Sequence, residues 1–213
     1  MRIAVIGAGN VGGSLGRRWA ELGHDVIFGV RESNAGASAV KGGEALPPRA
    51  RVASPSQALR GAEAVLLATP WSAVAEVVRG LGAEGRLDGL PLLDATNPLG
   101  PGLTLDVGPK GESGAERVQS LAPRAHVVKI FNTTGFNNMQ NPVYGGAATT
   151  MFFAGDDAGA KAIASSLAAA LGFEPIDAGP LRRARELEHL ALLWISLAFG
   201  GMGREIAFRL VRR

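Results

Sequence analysis

Residues 2–12 read Arg2-Ile3-Ala4-Val5-Ile6-Gly7-Ala8-Gly9-Asn10-Val11-Gly12, a short apolar run passing straight into G-x-G-x-x-G. The run predicts a buried strand, Arg2 to Ile6, followed by a helix from Asn10 to Leu22 that Gly23 stops. In isolation the glycine spacing is a weak signal. At a strand-to-helix junction it acquires a mechanism. Gly7 permits the tight turn, Gly9 lets the backbone approach a pyrophosphate, and Gly12 allows helix and strand to pack closely. The anion then sits on the helix N-terminus, where unpaired N–H groups and the helix dipole favour negative charge. A dinucleotide-binding unit is the expectation.

Further apolar, β-branched runs follow at Asp25–Phe28, Ala64–Ala68, Leu92–Asp94 and His126–Ile130, with helical patterns between them. They are continuous in apolar residues instead of alternating, as strands covered on both faces by helices are. Alternation of strand and helix predicts an α/β fold with a Rossmann-type, doubly wound, mostly parallel sheet. Residues 33–50 read as an irregular surface segment. Past Asn132 the texture shifts to TTGFNNMQNPVYGGAAT, rich in Asn, Gly and Thr, which predicts a functional loop. A further βαβ unit is expected from Met151–Ala154, Ala158–Leu171 and Glu174–Asp177. A C-terminal helical segment from Leu181 carries Leu187, Leu190, Trp194 and Leu197 on one face and Leu193, Ile195 and Phe199 on others. With no internal repeat and no long linker, 1–213 is read as a single domain, a Rossmann core at 1–135 and a smaller acceptor-site and helical part at 136–213.

The second strand selects the nucleotide. A site for NAD usually ends that strand with Asp or Glu for the ribose hydroxyls. Here the chain reads Phe28-Gly29-Val30-Arg31-Glu32-Ser33. Arg31 can pair with a 2′-phosphate and Ser33 can donate to it, which favours NADP; Glu32 competes as a ribose contact. Open parallel sheets deliver ligands to the carboxyl ends of their strands. Thr69-Pro70-Trp71, Thr96-Asn97-Pro98 and Phe131-Asn132-Thr133-Thr134-Gly135 each follow a predicted strand and would line the nicotinamide half. Each joins a small polar group to a residue that fixes the backbone. Trp71 fits stacking on a ring or capping the core equally well.

Composition narrows the chemistry. The 213 residues include 22 Lys plus Arg against 19 Asp plus Glu, a net charge of +3, too small a field to hold a polyanion. Nucleic acid is not an expected partner. No cysteine is present, which removes disulfides, thiolate nucleophiles and cysteine-ligated metal centres, so redox chemistry must come from a borrowed cofactor. The opening residues resemble neither a signal peptide nor a spanning segment, so a cytoplasmic protein with no membrane partner is expected. His24, His126 and His189 lack metal-ligand spacing.

With these segments in view, the chain resembles the coenzyme F-420-dependent NADP reductases, a family that also supplies the cytoplasmic domain of membrane ferric reductases of the six-transmembrane epithelial antigen type. The likeness runs through the opening glycines, Thr69 to Trp71, Val127 to Gly135, Ala154 to Asp157, Asp177 to Leu181 and Gly200 to Gly203. It implies that Ala8, Gly9, Asn10 and Val11 wrap the pyrophosphate, and that Val30, Arg31 and Ser33 surround the adenosine phosphate. It places Thr69, Pro70, Asn97 and Pro98 on the nicotinamide side. It makes Asn132, Thr133, Phe136, Leu181 and Met202 the wall for a small-molecule redox acceptor, a deazaflavin (coenzyme F-420) or a flavin. The implied reaction is reversible hydride transfer between NADP(H) and that acceptor, and a homodimer is expected. The Asn132 version of the loop is closer to the ferric-reductase domains than to the archaeal enzymes, which carry His there. Direct transfer between aligned rings requires proximity and stacking, so no catalytic acid or base is expected.

Two other readings compete with this one. β-Hydroxyacid dehydrogenases and pyrroline-carboxylate reductases share the opening unit but need a large helical domain, for which too few residues follow Asp177. The former also need a catalytic Lys, whereas Lys129 and Lys161 are expected to be solvated. An NADPH sensor or electron-transfer subunit without turnover of its own is the second rival, and turnover with an added acceptor separates it from an enzyme.

Overall fold

A computed structural model describes residues 1–31, 40–43, 45–83 and 85–213. Ser33 and Glu32 therefore lie outside the described residues. Strands β1 (Arg2–Ile6), β2 (Asp25–Gly29), β3 (Ala50–Ala53), β4 (Ala64–Leu67), β5 (Pro91–Asp94) and β8 (His126–Lys129) are all parallel, in the order β3-β2-β1-β4-β5-β8. The order reverses between β1 and β4, which creates a crevice at their carboxyl ends. Two short strands, β6 (Leu99–Gly100) and β7 (Thr104–Leu105), form a hairpin just after β5.

Apolar strands explain the two-sided cover. On β1, Ile3 and Val5 enter one core and Ala4 and Ile6 the other. The first core is closed by helices α1 (Asn10–Glu21) and α6 (Ala158–Ala170), the second by α3 (Trp71–Ala83), α4 (Gly114–Leu121) and α7 (Ala184–Leu197). Helix α1 ends at Leu22, and Gly23 follows with φ +95°, a left-handed stop that glycine adopts without strain. Trp19 on α1 is fully buried; its indole N–H donates to the Leu167 carbonyl on α6 at 3.2 Å, and its ring meets Phe131 edge-on at 5.6 Å.

After β8 the chain makes a five-residue helix, α5 (Phe136–Gln140), and a hairpin of β9 (Val143–Tyr144) and β10 (Ala147–Ala148). No crossover returns it to the other end of the sheet, so β11 (Thr150–Gly155) enters antiparallel to β8. Helix α6 then carries the chain to β12 (Glu174–Asp177), parallel to β11, completing the expected βαβ unit.

One sequence expectation changes here. The segment before β3 is irregular, yet its described part is anchored and not a loose surface excursion. Arg17 on α1 is 7% exposed and donates to the carbonyls of Val40, Lys41, Gly43 and Ala45, and Val40 is buried. The residues flanking it made that invisible, because the anchor lies on α1. The second apolar side of α7 is not wholly covered: Ala184, Leu187, Ala191 and Trp194 are buried, while Leu193 is 50% exposed. No helix among the described residues is long and apolar enough to cross a membrane.

Replacing Trp19 with Ala removes the largest side chain joining α1 to α6. Stability should fall by about 3–5 kcal/mol, read from denaturant unfolding.

Candidate functional site

The glycine loop has three different spatial demands. Gly7 has φ +104°, and an added Cβ would lie 2.5 Å from the Ala68 carbonyl oxygen. At Gly12 it would lie 1.8 Å from the Gly7 carbonyl oxygen. At Gly9 it would meet nothing within 4 Å among the described residues. The first two glycines are thus demanded by the protein's own packing, while the third faces open space at the start of α1. No side chain caps that helix, and its first turn holds no acidic residue. Its N–H groups are available to an anion. Ala8 is buried, Val11 half-buried, and Asn10 exposed around the same turn. One strand over, Val30 is buried and Arg31 exposed at the end of β2.

The carboxyl ends of β4, β5 and β8 lie side by side. Thr69 and Pro70 follow β4, Asn97 and Pro98 follow β5, and Asn132 and Thr133 follow β8. Asn97 and Asn132 exchange amide contacts: Asn97 Nδ2 donates to the Asn132 carbonyl at 3.0 Å, and Asn132 Nδ2 donates to Asn97 Oδ1 at 3.1 Å. Asn132 Nδ2 also reaches the Leu187 carbonyl on α7 at 3.1 Å. That orientation leaves Asn132 Oδ1 buried without a partner among the described residues, and Thr69 Oγ1 shares that condition. The turn begins at Phe131, a buried residue at φ +63°. A bulky side chain in the left-handed region costs roughly 1–3 kcal/mol and is held only by surrounding structure. Here the twist sends Phe131 onto Trp19 and Asn132 the other way, toward α7.

Trp71 is half-buried at the start of α3. Its ring lies over Gly114, its indole N–H donates to Asp106 at 2.8 Å, and the Arg117 guanidinium stacks 4.8 Å above it. The Trp71 N–H and the Arg117 guanidinium hold the Asp106 carboxyl below the usual carboxylate range. Together with Ser72, Asn97 and Leu99 these residues border a cavity of about 630 Å³ beside the β5 loop.

The expected acceptor wall divides. Asn132 and Thr133 follow β8 and Phe136 opens α5, and residues 204–206 cross over α5, where Asn137 and Asn138 donate to the carbonyls of Arg204 and Ile206 and Trp194 donates to Ile206. Arg204 stacks on the Phe136 ring, and the nearby Met202 is 64% exposed. Leu181 is not in this group. It is 3% exposed, packed in the second core, and its N–H is tied to Asp156 beyond the far end of β11. The antiparallel entry of β11 puts the residues after β12 toward the amino ends of the parallel strands, away from the crevice. Arg182, Arg183 and Arg185 are exposed, with Arg183 paired to Glu186 and Arg185 to Glu116.

Lys129 overturns its expected solvated role. It is 0% exposed, with Nζ 3.0 Å from Asp94, 2.9 Å from Glu188 and bonded to the Thr96 carbonyl. Asp94 is its register partner on β5. Glu188, on α7, accepts from the Gly114 and Ala115 N–H groups at the start of α4. Burial alone would lower the lysine pKa, but Asp94 and Glu188 outweigh it and hold it above its ordinary value. The stabilisation this coupling supplies is complete below the ordinary lysine range and is lost as pH rises through the raised value. The signal in the sequence was a charge ending each of two adjacent apolar strands and a third interrupting an apolar helix stripe. Lys161, by contrast, pairs with Asp177 at 2.8 Å near the surface.

A reversing parallel sheet with an open glycine loop defines the Rossmann-type dinucleotide-binding class. The family model "NADP oxidoreductase coenzyme F420-dependent" matches residues 2–98. A solved structure of a candidate F420-dependent NADP-reductase from Arthrobacter sp. FB24 aligns at a TM-score of 0.85 with 32% identity, covering 100% of both chains. The chain belongs to this family of F420-dependent NADP oxidoreductases. Metalloreductase STEAP3 of Rattus norvegicus is 28% identical over 90% of the chain, which spans about a third of that relative's length (36%). The imine reductase of Streptomyces aurantiacus, at 21% identity, a TM-score of 0.65 and coverage of 92% of this chain and 62% of its own, shares the fold.

Two stability measurements test this geometry. Gly9→Ala should unfold within about 0.5 kcal/mol of the parent protein, whereas Gly12→Ala should lose roughly 1–3 kcal/mol or more. Lys129→Met, which strands two buried carboxylates, should cost about 3–5 kcal/mol, read from denaturant unfolding.

Proposed function

We propose that the protein transfers a hydride between NADP(H), bound across the crevice, and a deazaflavin of the coenzyme F-420 type or a flavin bound beside Phe136. The observation that carries this reading is the pair of unpartnered polar atoms, Thr69 Oγ1 and Asn132 Oδ1, at the carboxyl ends of β4 and β8. A carboxamide supplies both a donor for Asn132 Oδ1 and a partner for the Thr69 hydroxyl, so a nicotinamide fits the chemistry of that donor set. At the other end, the open space at Gly9 and the uncapped start of α1 suit a pyrophosphate.

In this reading Ala8, Gly9, Asn10 and Val11 hold the pyrophosphate through backbone N–H groups. Val30 packs against the adenosine and Arg31 pairs with its 2′-phosphate, with Ser33 as its second partner. Pro70, Asn97 and Pro98 fix the nicotinamide side, and Trp71 closes the core behind them instead of stacking on the ring. Asn132 and Thr133 form the floor between the two ligands, and Phe136 and Met202 supply the apolar wall for the acceptor. NADPH supplies the hydride when bound. The protein contributes alignment and exclusion of water, and no side chain is assigned a proton.

The test is titration of the purified protein with NADPH and NADH, followed by addition of coenzyme F-420, FMN or FAD while nicotinamide absorbance is followed. NADPH should bind more tightly than NADH, and Arg31→Ala should weaken NADPH by about 10- to 100-fold while leaving NADH nearly unchanged. Oxidation of NADPH by the deazaflavin supports the full reading, and turnover with free flavin only moves the acceptor to a flavin. Binding without turnover on any acceptor would sink the enzymatic reading in favour of a sensor or electron-transfer subunit.

A further inference from the structure

Three charged side chains, Asp94, Lys129 and Glu188, are sealed from solvent directly beneath the crevice, and the mechanism above uses none of them. An apolar trio of the same volume would usually be as stable or more so, because taking charges out of water costs more than their attraction returns. Stability alone does not call for this arrangement. Its hydrogen bonds do something an apolar trio could not.

They form a closed circuit around the crevice floor. Lys129 donates to the Thr96 carbonyl, and Asp94 Oδ1 accepts from both the Thr96 N–H at 2.9 Å and its hydroxyl at 2.6 Å, so Thr96 is gripped at three atoms. The next residue, Asn97, exchanges its amide with Asn132, and Asn132 in turn donates to the Leu187 carbonyl. Leu187 adjoins Glu188, which returns to Lys129 at 2.9 Å. All three ammonium protons of Lys129 are committed to this ring, one each to Asp94, Glu188 and Thr96.

We propose that Lys129, through Asp94 and Glu188, is a positioning residue that fixes Asn97 and Asn132 against each other and so sets the nicotinamide's place in the crevice. The proposal rests on the reading of that crevice as the nicotinamide site. Lys129 touches no ligand. It acts by denying the β5 and β8 loops any independent movement, and by locking α7 to both.

The neutral variant Asp94→Asn/Lys129→Met/Glu188→Gln tests it, since it removes all three charges together and strands none. It should keep the parent's circular dichroism, with a lower thermal midpoint because a glutamine at 188 offers one acceptor oxygen to the Gly114 and Ala115 N–H groups and the Thr96 carbonyl loses its donor. NADPH affinity should stay within about threefold, because α1 and β2 hold the phosphate end. The kcat for NADPH oxidation should fall on the order of 10- to 100-fold with little change in KM, as a displacement near 1 Å does to an aligned pair. The emission of bound NADPH, which reports the surroundings of the reduced ring, should move toward that of the free cofactor. A folded neutral variant with parental kcat and parental emission overturns the proposal. Should the triple variant fail to fold, Thr96→Val loosens one grip only; a smaller shift in the same direction supports the proposal, and unchanged emission and kcat overturn it. If the parent binds NADPH but turns over no acceptor, the functional reading fails while the emission comparison still decides the positioning role. If the parent binds no NADPH, the crevice reading and this proposal fall together.

Discussion

The buried ammonium of Lys129 is the constraint on which the upper half of the molecule depends. It lies where β5, β8, α4 and α7 converge, and each of the four is bound to it directly or through one carboxylate. Glu188 works in two directions at once, neutralising the lysine and capping the orphan N–H groups of α4, where a negative charge also suits the helix dipole. Such a cluster tolerates little: fully satisfied it specifies one arrangement, and with one member missing it leaves a charge in a medium that cannot solvate it. Helix α7 is therefore tied to the sheet by direction as well as by greasy contact.

The nucleotide half is built on a different principle. There the chain spends glycine where its own backbone must pass closely, at Gly7 and Gly12, and leaves space open at Gly9. Arg17 adds a support from below by collecting four carbonyls of the segment that follows β2. Since the Lys41 N–H also bonds to the Ala8 carbonyl, that segment and the glycine loop are fastened to each other as well as to α1. Charge organises one end of the crevice, and close backbone contact organises the other.

Much of this was readable from residue order. The positions of β1, β2, β4, β5 and β8, the length of α1, the βαβ unit after residue 150 and the three polar segments after β4, β5 and β8 follow from local pattern, because apolar periodicity and glycine stops are local signals; the edge strand β3 was not expected, since Ala50–Ala53 is only partly buried and carries no continuous apolar run. What was not readable depends on direction and distance. Leu181 reads as a neighbour of the acceptor wall until β11 is known to run antiparallel, after which it belongs to the opposite end. Lys129 reads as a solvated strand residue until Asp94 and Glu188, which lie 35 positions before it and on a distant helix, are brought against it. Arg17 looks like a surface arginine on an amphipathic helix, and its four acceptors lie across a stretch with no pattern of its own. Phe131 gives no hint in sequence of its positive φ, since nothing about Phe requests it.

The contact between Trp19 and the Leu167 carbonyl spans 148 residues, and that between Gln140 and Ser14 spans 126. During synthesis on the ribosome, α1 thus emerges long before the helix that covers its tryptophan exists. The nascent α1 must wait with an apolar face bare, and α5 is fastened to α7 only when residues 204–206 arrive to be taken up by Asn137, Asn138 and Trp194. Long-range closure of this kind slows folding and lengthens the exposure of apolar surface. The nucleotide cradle is made well before the elements that finish it.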